Sequence, residues 1–169
     1  MAAKTGTYTL IASTTLNANT QTVTFSSIPQ TYTDLVLISS VKSTGNYSST
    51  YTINNDSGTN YSYTYMNGNG TTATSGRMTS TVLGIIDNWA QATSQTMFDP
   101  CITQFMDYAN TTTYKTILCS SGSANLGVER GVNLWRNTSA INTITLSNAA
   151  GNFVSGSTFR LFGIEAGNL

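Results

Sequence analysis

Few residues in this chain could carry out catalysis. None of the 169 residues is His, which excludes the Ser–His and Cys–His pairs of nucleophilic catalysis. A Ser–Lys pair would need Lys4, Lys42 or Lys115, and none of these lies in a recognisable motif. The acidic residues that could supply the paired carboxylates of a glycosidase are Asp87, Asp99, Asp107, Glu129 and Glu165. No motif joins them, so the sequence predicts that the protein is not an enzyme.

The residues also predict no metal ion or other cofactor. A zinc site needs four Cys or His ligands, and only Cys101 and Cys119 are present, without CxxC spacing. The segment Asn54–Gly58 (NNDSG) offers oxygen ligands for calcium, but it has a single carboxylate and lacks the spaced acids of a calcium loop. We therefore predict an Asx-type turn there, with calcium as the alternative.

Charge and targeting signals limit the cellular setting and the partners. The N-terminal Met-Ala-Ala-Lys-Thr-Gly has no apolar signal segment, and no apolar run could span a membrane. We expect synthesis in a reducing cytoplasm, no membrane contact, and buried, reduced Cys101 and Cys119, with a disulfide as the alternative. The formal charge of zero gives no basic patch for nucleic acid and does not oppose self-association.

The elements that would position these residues are strands. Thr, Ser and Asn fill 68 of 169 positions and charged residues only 8%, a composition that favours strands and tight turns over helices. In Thr20–Ser26, Val23 and Phe25 alternate with Thr, as in a half-buried strand. The other strand candidates are Thr7–Ala12, Asp34–Val41, Tyr47–Asn54, Tyr61–Tyr65, Met78–Ile86, Met97–Tyr108, Thr113–Ser121, Val128–Arg136, Ile141–Ser147 and Ser157–Ile164.

This pattern predicts an all-β protein: one antiparallel β-sandwich of jelly-roll type, or a related Greek key, with about ten strands. The domain would span residues 7–169, after an N-terminal arm of residues 1–6. We expect a loop at Asn67–Gly76, a short helical turn at Ala90–Gln95 and a bulge near Asp99–Pro100.

Nine residues are candidates for an interface. The strand Asp34–Val41 is apolar on both faces, which predicts a second cover over Val36 and Ile38. The last strand has the same pattern, with Arg160 and Phe162 on its second face, where a buried Arg160 would need a partner. Amphipathic aromatic residues complete the set, as interface anchors, sugar-stacking groups or core residues. They are Tyr61, Tyr63, Tyr65, Trp89 and Trp135.

Several segments resemble a known class of proteins. They are Tyr8–Ser13 (YTLIAS), Val23–Pro29 (VTFSSIP), Tyr32–Leu37 (YTDLVL), Ile141–Leu146 (INTITL) and Gly156–Ile164 (GSTFRLFGI). Together they resemble small β-sandwich structural proteins of tailed bacteriophages, notably those of cyanobacterial and marine phages. The similarity spans almost the whole chain and is weakest over residues 47–92.

The resemblance implies a virion structural protein. The leading hypothesis is a capsid decoration (cement) protein, a homotrimer that binds the major capsid protein on the outer surface of the head. The alternative is a tail-fibre or head-spike receptor-binding module that recognises host surface glycans. A glycan depolymerase is a distant third.

Overall fold

The computed structural model describes residues 7–45, 48–87 and 97–165, and the regular structure in these ranges is all β-strand. The strands are β1 (Tyr8–Thr15), β2 (Thr22–Phe25), β3 (Asp34–Val41), β4 (Ser49–Ile53), β5 (Tyr61–Gly68), β6 (Ala73–Thr81), β7 (Gly84–Asp87), β8 (Asp99–Phe105), β9 (Lys115–Ser123), β10 (Gly127–Trp135), β11 (Ile144–Asn148) and β12 (Thr158–Ile164). No helix long and apolar enough to cross a membrane occurs in these ranges. The predicted N-terminal arm, Trp89 and the helical turn at Ala90–Gln95 lie outside them.

The strands form two antiparallel sheets. The large sheet has the order β1-β12-β3-β8-β9-β10-β5-β6, and the small sheet has the order β2-β11-β4-β7. Without β5, β6, β9 and β10, the remaining orders are β1-β12-β3-β8 and β2-β11-β4-β7, which is the strand order of a jelly roll. The predicted all-β, jelly-roll-like sandwich is therefore confirmed, with twelve strands instead of about ten.

Two inserted hairpins widen the large sheet. The β5–β6 hairpin follows β4 in the chain and the β9–β10 hairpin follows β8, and both add strands beyond the β8 side of the jelly roll. Their strands pair in long regular registers, for example Val132 with both Leu118 of β9 and Thr64 of β5. The large sheet consequently extends well beyond the width of the small one.

The core lies between the sheets and follows from the alternation of side chains along each strand. Leu35 and Leu37 of β3 and Leu161 of β12 point into it and are at most 1% exposed. The small sheet contributes Val23 and Phe25, as the sequence pattern predicted. The Tyr32 ring packs on Gly163 of β12, which has no side chain to keep it away. Strand β12 lies inside the large sheet, between β1 and β3.

Three local predictions are wrong. The segment Asn67–Gly76 is not a loop: β5 runs to Gly68 and β6 begins at Ala73, joined by a turn in which the Asn69 side chain accepts hydrogen bonds from the backbone of Thr71 and Thr72. Its polar residues are compatible with a strand because β6 is an edge strand. The candidate Met78–Ile86 is divided between β6 and β7. Strand β8 pairs with β3 without a bulge at Asp99–Pro100.

Candidate interaction surface

The side of the large sheet that faces away from the small sheet is the candidate functional site. We call it the outer face. Strand alternation places on it the side chains of Val36 and Ile38 from β3 and of Arg160 and Phe162 from β12. Phe162 pairs in register with Val36, and Arg160 pairs with Ile38. Four of the nine predicted interface residues therefore lie together on one surface.

The exposure of these four residues differs. Val36 is 3% exposed even though it points away from the core, whereas Ile38 and Phe162 are half-buried. Arg160 is exposed. The expected burial of Arg160 is therefore not found within the single chain, and its burial by another subunit or partner stays a prediction.

Large apolar side chains continue across the outer face onto the inserted hairpins. Ile102 pairs with Ile38, and Leu118 pairs with Val132 on the neighbouring strand. Single exposed apolar residues are ordinary, but a contiguous apolar patch on a soluble domain usually marks an interaction site. The exposed members are Tyr8 (54%), Leu10 (54%), Met66 (64%), Ile102 (51%), Leu118 (36%), Val128 (66%) and Val132 (48%).

The inserted hairpins also form a shallow groove. A cavity of about 550 Å³ lies over β6, β5, β10 and β9, lined by Met66, Val128 and Arg130 together with Ser75 and Ser120. Adjoining cavities of about 440 and 430 Å³ extend along the sheet past Leu118 and Ile102. Small residues between the large apolar ones give the groove its depth, which suits protruding side chains of a partner.

The charge on the outer face is mostly positive. Arg77, Arg130 and Arg160 are exposed there, on β6, β10 and β12. The acidic residue at the edge of the face, Asp34, already accepts hydrogen bonds from Gln104 Nε2 (3.1 Å) and from the backbone N–H of Asp107 (2.8 Å). Glu129 points into the sandwich instead and is 3% exposed. The face is therefore apolar and basic, despite the formal charge of zero.

No protein-family model matches the chain, no curated protein is significantly similar to it, and no solved structure matches it significantly.

The predicted aromatic interface residues lie elsewhere. Tyr61, Tyr63 and Tyr65 share one face of β5, as expected, but it is the inner face. Tyr61, Tyr63 and Trp135 are at most 1% exposed, so their predicted role as interface residues is wrong and the core alternative is found. Tyr65 is half-buried and stacks on Tyr63, with ring centroids 5.3 Å apart. The sequence could not distinguish the two faces of β5, because both faces of the neighbouring β10 carry apolar residues.

A hydrogen-bonded turn around Asp56 binds the indole N–H of the buried Trp135. The Asp56 carboxylate accepts hydrogen bonds from the Gly58 backbone (2.9 Å), from Asn60 Nδ2 and from Trp135 Nε1 (2.7 Å). This is the predicted Asx-type turn. Burial alone would raise the pKa of Asp56, but the hydrogen bonds from Trp135, Asn60 and Gly58 outweigh it and lower the pKa. The carboxylate of the calcium alternative is thus engaged within the protein.

Both thiols lie within the sandwich. Cys101 of β8 and Cys119 of β9 are at most 2% exposed and form no disulfide, and they point towards the backbone of β7, near the carbonyl oxygens of Ile86 and Ile85 respectively. They occupy diagonal positions on adjacent strands, because Thr103 is the partner of Cys119. The predicted buried, reduced state agrees with this placement. In the described ranges, no group of three or more His, Cys, Asp or Glu side chains could hold a metal ion.

Sequence reasoning missed most of the outer face. The strongest omission is β10, whose sequence is GVERGVNLW. Its outward residues include Val128 and Val132, while its inward residues include the polar Glu129 and Asn133. A half-buried strand normally has the opposite arrangement. The two Val residues four positions apart, one on each side of Arg130, are the signal that could have identified the surface.

Proposed function

We propose that this protein is a structural protein of a phage virion that attaches to the particle through its outer face. Within this class, a capsid decoration protein suits the surface best. The observation that carries the proposal is the inverted pattern of β10, where Val128 and Val132 face solvent and Glu129 and Asn133 face the core. Apolar residues on the solvent-facing side of a strand, opposite polar residues on its buried side, indicate a surface that another protein covers.

The small sheet provides the contrast. Its outward-facing positions carry hydroxyl side chains, such as Thr24 and Thr145, whose side chains hydrogen-bond to each other at 3.1 Å. This is an ordinary solvated sheet surface. The two outer sides of one sandwich thus differ in chemistry, as expected for a protein that has one side on a shell and the other side in water.

The size of the outer face is adequate for stable attachment. Eight strands at about 4.8 Å spacing span roughly 34 Å. A surface of this width, several residues deep, approaches the ~800 Å² per partner of a standard protein interface. Burial of apolar area at about 25 cal/mol per Å² would favour attachment, and several copies on one shell would reinforce it.

The proposed partners are the major capsid protein and further copies of this chain, arranged as a homotrimer on the outside of the head. The alternative, a receptor-binding module for host glycans, has less support, because Tyr61, Tyr63 and Trp135 are buried and cannot stack on a sugar. A depolymerase is also disfavoured, since Glu129 and Asp99 are buried within the sandwich.

The test has two steps. Mass spectrometry of purified virions, with antibody labelling in the electron microscope, should find the protein on the head. Its absence from virions, or labelling confined to the tail tip, would overturn the decoration role. The Val132→Glu variant should then fail to bind particles that lack the protein. The matched control is Thr22→Glu, which adds the same charge at an exposed position of the small sheet.

A further inference from the structure

We infer that the outer face binds a protein surface that carries carboxylates among apolar side chains, and not the same face of a second copy. This inference rests on the proposed function and specifies its partner.

The arginines enclose the apolar residues. Arg160 lies on β12 and Arg130 lies on β10, four strand spacings away, or roughly 19 Å. Ile38, Ile102 and Ser120 lie between them in the same register row. Arg77 lies on β6, beyond Arg130. A partner that covers the apolar row would therefore bring its own side chains against guanidinium groups at both ends.

These guanidinium groups need acceptors from the partner. A guanidinium that loses water without gaining an acceptor is costly, and the planar group favours carboxylates, which it can bind through two hydrogen bonds. The outer face itself supplies few acidic groups, because Asp34 is already engaged with Gln104 and with the backbone of Asp107. The complementary surface must therefore provide carboxylates between apolar residues.

Pairing of the face with itself is disfavoured for the same reason. A two-fold contact between two outer faces would bury six arginines against only the two Asp34 carboxylates, which already accept hydrogen bonds within their own chains. Like charges at an interface are costly and reject the wrong partner. The same cations do not indicate nucleic acid, since apolar Ile102, Leu118 and Val132 lie among them. The exposed aromatic ring of Tyr8 lies at the β1 edge, where it packs edge-on against Phe162.

Two triple variants test the charge requirement. One replaces Arg77, Arg130 and Arg160 by Gln, and its matched control replaces the same residues by Lys, which preserves the charge. Retention of the full chain is measured on three resins that carry butyl groups alone, butyl groups with carboxylates, and butyl groups with amines. Binding to particles that lack the protein is measured in parallel at low and high salt.

We expect the strongest retention on the butyl–carboxylate resin at low salt, and loss of that preference in the Gln variant but not in the Lys variant. The Gln variant should also bind particles about tenfold more weakly. Equal retention on all three resins would overturn the inference, as would a dimer that Val132→Glu dissociates. The resin measurement does not depend on the virion, so absence of the protein from virions would refute the proposed function separately.

Discussion

The side chain of Asn133 in β10 makes two hydrogen bonds to the backbone of Ile85 in β7. A neighbouring strand would make the same two bonds. Asn133 Nδ2 donates to the Ile85 carbonyl (2.9 Å), and Asn133 Oδ1 accepts from the Ile85 N–H (3.0 Å). Strand β7 is the edge of the small sheet, so this side chain from the large sheet satisfies a backbone that has no strand beside it. The polar residue on the core face of β10 thereby joins the two sheets.

Replacement of Asn133 by Leu should destabilise the protein by about 3 kcal/mol, because the buried N–H and C=O of Ile85 would both lose their partner. Urea unfolding monitored by Trp fluorescence measures the change. Asn142→Ala, at an exposed position, is the control and should cost well under 1 kcal/mol. A cost for Asn133→Leu as small as that of the control would show that β7 does not depend on this bridge.

The Asp56 turn predicts an acid-sensitive contribution to stability. Asp56→Ala should lower the free energy of unfolding by about 2 kcal/mol at neutral pH, because the indole N–H of the buried Trp135 loses its acceptor. Since the pKa of Asp56 in the folded protein lies below its ordinary value of 3.8, the ionised group stabilises the fold above that value. This contribution is lost as the pH falls through the lowered pKa.

The measurement for Asp56 is urea unfolding at neutral pH and at several values below pH 4. Asp56→Asn keeps a side-chain oxygen for Trp135 but cannot ionise. It should therefore lose less stability than Asp56→Ala and show a flatter acid dependence than the natural chain. Parallel acid profiles for the natural chain and for Asp56→Asn would contradict the prediction.

Alkaline pH should unfold the protein through its buried phenols. Burial raises the pKa of Tyr61 to about 12, and burial, with nearby Cys119 and Tyr61, raises the pKa of Tyr51 well above its ordinary value of 10.0. A group whose pKa is higher in the folded state gives stability that is complete below its ordinary pKa of 10 and is lost as the pH rises towards the folded value. Tyr absorbance near 295 nm and circular dichroism should change together in this range. Full ionisation of all tyrosines with the fold intact would refute this prediction.

The contact of Gly163 with Tyr32 predicts a cost for a single methyl group. A Cβ at Gly163 would lie 2.2 Å from Cγ of Tyr32, so the ring must move. Gly163→Ala should cost about 1–3 kcal/mol through overpacking. The control is Gly68→Ala, where the nearest atom, the Thr72 carbonyl oxygen, is 3.9 Å away. Thermal melts of the two variants give the comparison, and equal melting temperatures would contradict the prediction.

The sequence predicted the fold class because strand periodicity and turn residues are local signals. The bounds of Asp34–Val41 agree with β3, and the alternation of Val23 and Phe25 agrees with β2. The doubly apolar strands also led to four residues of the outer face. The prediction failed at β5 and β10, where both faces carry apolar residues. There the choice of inner face depends on β7, because Asn133 satisfies its backbone, and no local pattern encodes a contact between sheets.

Strands β5 and β10 of the two inserted hairpins have different roles on their two faces. Eight strands close the jelly roll, whereas Met66, Val128, Arg130 and Val132 of the outer face belong to β5 and β10, which the jelly roll does not need for closure. The inward side chains of the same two strands, Tyr61, Asn133 and Trp135, belong to the interior and join the hairpins to the rest of the fold. Substitutions at the outward positions of β5 and β10 can therefore change what the protein binds, while the inward positions of the same strands keep the hairpins attached to the fold.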